Sequence, residues 1–448
     1  MTRHLGPEQI RSFGTSFESR SSYRLAQSAA RRTTLKDIAL DGRVLADIQH
    51  SVSHRLDDWN VTDQKASGRC WLFAGLNLLR VGAARKLGIK DFEFSQNHLF
   101  FWDKVERANY FLEAMIELSD RDLDDRTLAR LLARPIEDGG QWNMFVALVG
   151  KHGLVTKEAM PETESSSNTR AMNDVLRKRL RRAALELREL APAGPEAQRA
   201  HKAGVLDVVY RVLSIHLGTP PREFGWQWTD QDAVFHREGL VTPVEFAASY
   251  VTLQLDEYVC LVHDPRPSSP MGRTFTVEYL GNVVEAPPVV YLNVEMDLLK
   301  KLAMEAIVGG EPVWFGCDVG QQWNADLGYW DARLYDYDAV YGTAFDMTKA
   351  DRLRYRETLM THAMLFTGVD VVDQEARRWR VENSRGGGDG DSGFGTMTDA
   401  WFGEYVFEIA VRRSALPSDL VAALDQPPIV LPAWDPMGAL ACVGRGQK

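Results

Sequence analysis

Cysteine is scarce in this chain. Four stand among its 448 residues, Cys70, Cys260, Cys317 and Cys442. They are scattered and follow no metal-binding or disulfide spacing, which fits a reducing compartment and excludes a disulfide framework. Long apolar runs are missing too: no stretch reaches the ~18 residues that mark a membrane-spanning helix. The opening, "MTRHLGPEQIRSFGTSFESR", is polar and lacks the apolar segment of a secretory signal. These absences lead to the expectation of a cytoplasmic protein with no membrane partner. Positive charge is also wanting. With a net charge of -10 there is no excess field to collect phosphates, so nucleic acid is not expected as a main partner.

Metal and phosphate signatures are equally thin. His50 and His54 form an i, i+4 pair, but no Cys or Glu-x-x-His frame surrounds them. "DGDSGFG" (389–395) alternates acids and glycine without the remaining ligands of a calcium loop, and reads as a turn. "RGGGDG" has no Lys-Ser/Thr step and no helix behind it. No metal and no cofactor is therefore expected.

What is present is the composition of a soluble globular chain, 45% hydrophobic and 25% charged. The first half is patterned for helices. "WLFAGLNLLRVGAARKLG", "NHLFFWDKVERANYFLEAMIELSD" and "QWNMFVALVGKHGLV" place apolar residues three and four apart. "RAMNDVLRKRLRRAALELREL" reads as a basic amphipathic helix and "APAGPEAQ" as the break of a helical hairpin. Its basic side is either a solvated face or an insertion that meets another subunit. After about residue 255 strand chemistry takes over: "LQLDEYVCLVH", "TFTVEYLG", "PPVVYLNV", "EPVWFGCDV", "HAMLFTGVDVV", "RRWRVENS" and "YVFEIAVRR" are short, rich in Val, Tyr, Phe and Trp, and bounded by Gly, Pro and Asp. The expected class is α+β. A mainly helical lobe spans 1–254, with a helical insertion at about 165–225. An antiparallel, β-rich lobe follows at 255–425, and a proline-rich extended arm at 426–448.

The chemistry concentrates in "VTDQKASGRCWLFAGLNLLR" (61–80). A helix starting at or just after Cys70 sets its thiol at the positive end of the helix dipole, which favours the thiolate. Gly68 lets backbone approach a substrate closely. Gln64, six positions upstream, is placed to offer its side-chain amide, with the Cys70 N–H, to a developing oxyanion. A sulfur nucleophile also needs a base and the base an orienting partner. His362 opens an unusually apolar strand. A hairpin turning around residues 373–376 sets it opposite residue 387 or slightly earlier, so Asn383 lies at the same open end. An amide oxygen there holds the imidazole in the tautomer whose other nitrogen faces sulfur. Cys260 and Cys317 sit inside strand-like runs and read as core.

Gln64, Cys70, His362 and Asn383 resemble the papain arrangement of oxyanion glutamine, nucleophile, base and orienting asparagine, and "GRCW" resembles its local pattern. The separation of Cys70 from His362 is about twice the roughly 130–150 residues typical of secreted papains, which implies large insertions. Ser67 stands where those enzymes carry a structural cysteine. The closer similarity is to the bleomycin hydrolase / aminopeptidase C family, through blocks along nearly the whole chain: "FEFSQNHLFFWDKVERANYFLE", "DGGQWNMFVALVGKHGLV", "MPETESSSNT", "LMTHAMLFTGV", "VENS" and "LPAWDPMGALA". The resemblance implies a papain-like two-lobe fold with a helical lobe, an antiparallel β-barrel lobe, a helical insertion and an extended C-terminal arm. It implies a homohexamer with its active sites facing a chamber, and thiol-dependent removal of residues from peptides with a free N-terminus. It further implies that Gly139 and Gly140 hold extended substrate by their backbone and that the arm, near Ala441, lies in the cleft and receives the substrate amine. An open cleft would make an endopeptidase or oligopeptidase instead. A ring using the basic 170–202 segment for nucleic acid or assembly, with impaired catalysis, is the alternative from another class.

Two features depart from that family. The tail continues beyond "MGALA" as "CVGRGQK" (442–448), so the arm is expected to be trimmed or displaced. Arg385 follows Asn383-Ser384 where the family carries Trp. A cation there disfavours the imidazolium, and loss of the indole is expected to expose the Asn–His contact.

Overall fold

In the computed structural model, which describes residues 4–56, 59–388 and 393–441, the helix Cys70–Leu87 fixes the position of everything around it. Its first residue is Cys70, as the sequence pattern predicts, and Gly88 at φ 65° ends it in the left-handed conformation that glycine favours. This helix is buried on nearly all sides rather than along one stripe. Gly75 makes that possible, since a Cβ there would lie 2.8 Å from the Phe145 ring. Its start is anchored by Arg69, whose buried guanidinium makes paired hydrogen bonds to Glu162 at 2.9 and 2.6 Å. The same guanidinium stacks on the rings of Phe73 and Phe100.

Helices Gln96–Glu117 and Trp142–His152 pack on the central helix. The expected helical hairpin is formed by Arg170–Glu189 and Pro195–Leu217, with Gly194 at φ 88° in the break. It lays Met172, Leu176, Leu180 and Leu187, and Val205, Val209 and Leu213 from its second arm, into the same core. Several of its basic side chains are engaged within the chain. Arg181 donates to the carbonyls of Leu132 and Ala133, which end the helix Arg126–Ala133, and Arg179 and Arg182 both pair with Glu186.

Each segment expected as a strand beyond residue 255 contains one. Tyr258–Val262, Val406–Arg412, Val313–Cys317, His362–Val372, Glu375–Glu382 and Phe394–Thr398 are neighbours in that order, all antiparallel. Thr274–Val277 and Tyr291–Asn293 extend the sheet beyond Tyr258–Val262. With the helices this makes an α+β protein. The structure adds what the pattern missed. A strand hairpin, Phe224–Thr229 with Phe235–Val241, stands in the stretch read as mainly helical, and the helices Met296–Val308, Lys349–Tyr355, Asp399–Tyr405 and Ser418–Leu424 in the stretch read as β-rich. The arm is not wholly free of structure: Ile429–Leu431 pairs in parallel with Phe275–Val277. No described helix is long and apolar enough to cross a membrane.

Where these parts meet, the buried carboxylate of Asp138 accepts from Lys104 Nζ and Asn173 Nδ2, both at 2.7 Å, from the Gly68 N–H at 3.2 Å and from Thr169 Oγ1. Burial opposes its ionisation, but the Lys104 ammonium and the hydrogen bonds outweigh that and hold the carboxyl well below the usual range. Its stabilising effect is thus complete above the ordinary carboxylate range and is lost only as pH falls beneath it. Asp138→Ala strands the Lys104 ammonium in the core and is expected to cost about 3–5 kcal/mol, read as a shift in denaturant midpoint. A loss under about 1 kcal/mol would contradict the role given to this carboxylate.

Candidate active site

The structure brings Cys70, His362, Asn383, Gln64, Gly140 and Ala441 into one buried cluster. The strand His362–Val372 crosses the start of the central helix, and the backbone N–H of Ala363 donates to Cys70 Sγ at 3.4 Å. The return strand leaves through a two-residue turn, Asp373–Gln374, both at positive φ (51° and 69°). This turn is tighter than the expected 373–376. Two register shifts, between Phe366 and Gly368 and between Asp370 and Val371, offset each other, so Leu365 faces Glu382. Asn383 then sits one residue past the strand end, and its Oδ1 lies 2.9 Å from His362 Nε2. Because the amide oxygen can only accept, Nε2 carries the proton and Nδ1 is the basic nitrogen. That Nδ1 is buried with no hydrogen-bond partner.

Burial pushes the His362 pKa down to about 4; the Asn383 hydrogen bond opposes this and the Arg385 cation adds to it. In this state the imidazole is neutral and poised to accept a proton. Arg385 therefore acts in the expected direction. The expected exposure does not occur: His362 is 0% and Asn383 3% exposed. The Arg385 guanidinium lies 4.9 Å from the centre of the Trp323 ring.

Gln64 is strapped to the asparagine segment by backbone pairing. Its N–H donates to the Ser384 carbonyl at 3.0 Å, and the Gly386 N–H donates to the Thr62 carbonyl at 3.0 Å. Its side-chain Nε2 donates to the Ser67 carbonyl at 2.6 Å, and Ser67 Oγ returns a bond to the Gln64 carbonyl at 2.6 Å. One amide N–H is thus used to hold the loop and a second remains. Ser67 also receives Arg69 Nε at 3.0 Å, so the position read as a missing cysteine is a hydrogen-bonded link.

Gly140 packs its Cα face on Trp71; a Cβ there would lie 2.5 Å from the indole. This close approach leaves its backbone to pair with Ala441 as an isolated antiparallel bridge, with Ala441 N–H donating to the Gly140 carbonyl at 3.2 Å. Gly139 does not join that pairing: its carbonyl accepts from Arg107 Nη2. The Ala441 carbonyl in turn accepts from Cys70 Sγ at 3.3 Å. The arm is held upstream by Gln141 on the Ala439 carbonyl, by the Arg266 guanidinium on Asp435 at 3.0 and 2.8 Å, and by Arg126 over Trp434 at 4.1 Å. Cys442–Lys448, on which the expected trimming falls, lie outside the described residues.

The other candidates separate from this site. Cys260 and Cys317 are buried, and desolvation pushes both thiols well above their ordinary range, as core positions require. His50 Nδ1 lies 3.0 Å from Thr396 Oγ1 and His54 Nδ1 2.9 Å from Ser53 Oγ. Sequence reasoning overlooked Asp138, Glu382, Asn77 and Arg80. The signal for the last two was visible: Asn77 and Arg80 are polar residues three apart in "LFAGLNLLRV", a run otherwise apolar.

Replacing Arg385 with Trp is expected to raise the His362 pKa and shift the acid limb of the pH–rate profile upward, with neutral-pH turnover above the parent's. An Arg385→Trp enzyme no faster than the parent, with an unmoved profile, would contradict this.

The profile of the Peptidase C1-like family matches residues 4–438. Bleomycin hydrolase from Homo sapiens is 42% identical, the match covering 98% of this chain and 99% of the human one. Aminopeptidase C from Lactobacillus delbrueckii subsp. lactis is 39% identical, covering 98% of this chain and 99% of its own. The crystal structure of PepW from Lactobacillus rhamnosis HN001 superposes with a TM-score of 0.96 at 40% identity, covering 98% of this chain and 100% of that one.

Proposed function

The chain belongs to the Peptidase C1-like family, and from that premise we propose that it is a papain-like cysteine aminopeptidase. It removes residues from peptides with a free N-terminus, and cleaves related amides, through a thioester intermediate. The relatives named bleomycin hydrolase and aminopeptidase C support this reading. In it the helical half and the sheet half form the two walls of a cleft, the sheet half being the barrel lobe. The hairpin Arg170–Leu217 is an insertion, and the segment after 426 is the arm. The family resemblance extends the reading to a cytoplasmic homohexamer.

Catalysis starts from the neutral pair. His362 Nδ1 takes the Cys70 proton, and the thiolate attacks the scissile carbonyl. The oxyanion is held by the remaining Gln64 N–H and the Cys70 backbone N–H at the helix start. Protonated His362 gives its proton to the departing amine, leaving an acyl thioester. Water, deprotonated by His362 Nδ1, attacks that thioester; the acid leaves and the thiol is restored. Asn383 keeps the Nε2 proton in place through both halves.

One observation carries the exopeptidase reading: Ala441 lies extended on Gly140 with its carbonyl 3.3 Å from Cys70 Sγ. A peptide segment of the chain itself thus occupies the cleft, which leaves a substrate little room on that side and speaks against the open cleft of an endopeptidase. The same contact presents the Ala441–Cys442 bond to the nucleophile, so we read the tail 442–448 as removed by the enzyme itself, freeing a carboxylate to receive the substrate ammonium. With Arg177, Arg179, Arg181 and Arg182 of the hairpin all bonded within the chain, its basic side offers little to a nucleic-acid ring.

The test is turnover of free and N-blocked aminoacyl fluorogenic amides by protein of measured intact mass, with and without a thiol alkylator. Free amides are expected to be cleaved, blocked ones at most at about a hundredth of that rate, and alkylation to abolish both. Equal cleavage of blocked substrates would overturn the aminopeptidase reading. Full-length protein with normal activity would overturn the trimming.

A further inference from the structure

Glu382 immediately precedes Asn383 and is buried, with 2% exposure. Its carboxylate gathers donors from separate parts of the chain. Oε2 accepts from Trp59 Nε1 at 2.7 Å, and Oε1 accepts from Asn77 Nδ2 and Arg80 Nη2, both at 2.8 Å. The Arg80 guanidinium also lies 5.5 Å from the centre of the Trp59 ring, so the donors brace one another. Asn77 and Arg80 belong to the helix that Cys70 opens, roughly two and three turns along it. Asn77 Nδ2 reaches Thr62 Oγ1 as well, at 2.9 Å, and the Thr62 carbonyl accepts the Gly386 N–H. One carboxylate therefore ties together the nucleophile's helix, the loop leading to Gln64 and the strand end carrying Asn383.

Such an arrangement is poorly explained by stability alone, since a buried ion pair is often matched or bettered by apolar packing. It is well explained by registry. The carboxylate joins the strand end directly to two residues of the central helix, and a small slip there would carry Asn383 away from His362. We propose that Glu382 is a positioning residue for the reaction, fixing the Asn383–His362 pair at the height of Cys70. This rests on the reading of Cys70, His362 and Asn383 as the reacting and orienting groups.

The experiment uses the full chain with Glu382→Gln, Glu382→Asp and Trp59→Phe. In Glu382→Gln an amide NH2 must face either the Trp59 N–H or the Asn77 and Arg80 donors, so the clamp opens on one side while the side-chain volume is kept. Folded Glu382→Gln, verified by circular dichroism, is expected to keep KM while kcat falls about 10- to 100-fold, the scale of an ångström-sized misplacement. Cys70 alkylation at neutral pH should slow in step. Glu382→Asp, which keeps the charge, should recover part of kcat. Trp59→Phe removes the Nε1 donor while keeping an aromatic ring beside Arg80, and serves if Glu382→Gln does not fold; it should lower kcat several-fold at constant KM. The proposal is overturned if the folded variant has parental kcat and alkylation rate, or if activity falls only in proportion to the folded fraction. A fully active Cys70→Ala enzyme would instead sink the underlying reading of the site.

Discussion

The backbone N–H of Ala363 points at Cys70 Sγ from 3.4 Å, and on that one contact between a strand and the start of a helix the rest of the site depends. A helix start supplies N–H groups and a positive field but no base. A strand supplies a rigid line of side chains but no field. Where the two cross, the residue before Ala363 is a histidine, and the strand's own hairpin returns an asparagine to that histidine's far nitrogen. The crossing is secured on the helix side by Arg69, Asp138 and Trp71, the last donating its indole N–H to the Asp138 carbonyl at 2.7 Å. It is secured on the strand side by Glu382 and by the backbone pairing of Thr62–Gln64 with Ser384–Gly386.

Dryness is the second constraint, and it acts in two directions. Burial keeps His362 neutral, with a pKa of about 4, and makes each hydrogen bond around it more consequential. The same burial is partly made by the chain itself, because Ala441 closes the cleft over Cys70. In the proposed reading, substrate shares the cleft with the arm or binds after its rearrangement. The Arg385 position shows how a dry site tolerates an unusual residue. A cation enters where an indole was expected, yet its guanidinium rests on Trp323 and the Asn383–His362 contact stays sealed.

Much of this was legible from residue order. The start of the helix at Cys70, the strands from Tyr258 to Arg412, and the hairpin returning Asn383 to His362 follow from apolar periodicity and turn chemistry, which are local. The family resemblance gave Gly139 and Gly140 a substrate-holding role and set the arm near Ala441 in the cleft; the pairing of Gly140 with Ala441 came from the structure. The missed parts have a common cause. The Phe224–Val241 hairpin carries exposed and charged positions that blur its alternation, with a register shift between Trp226 and Gln227. Helix Met296–Val308 buries only Leu299, Leu302, Ala303 and Ile307 and lies between two strand-like runs. Glu382, Asp138 and Arg80 are charges whose partners lie far away in sequence, so their burial could not be read from their neighbours.

The most direct measurement is the rate of inactivation by iodoacetamide across pH, with each modified cysteine located by peptide mass. The expected result is that activity is lost in proportion to modification at Cys70, while Cys260 and Cys317 stay unmodified in the folded protein, and that Asn383→Ala slows the neutral-pH reaction of Cys70. Activity surviving complete modification of Cys70 would contradict the central claim that this sulfur, set against His362, does the chemistry.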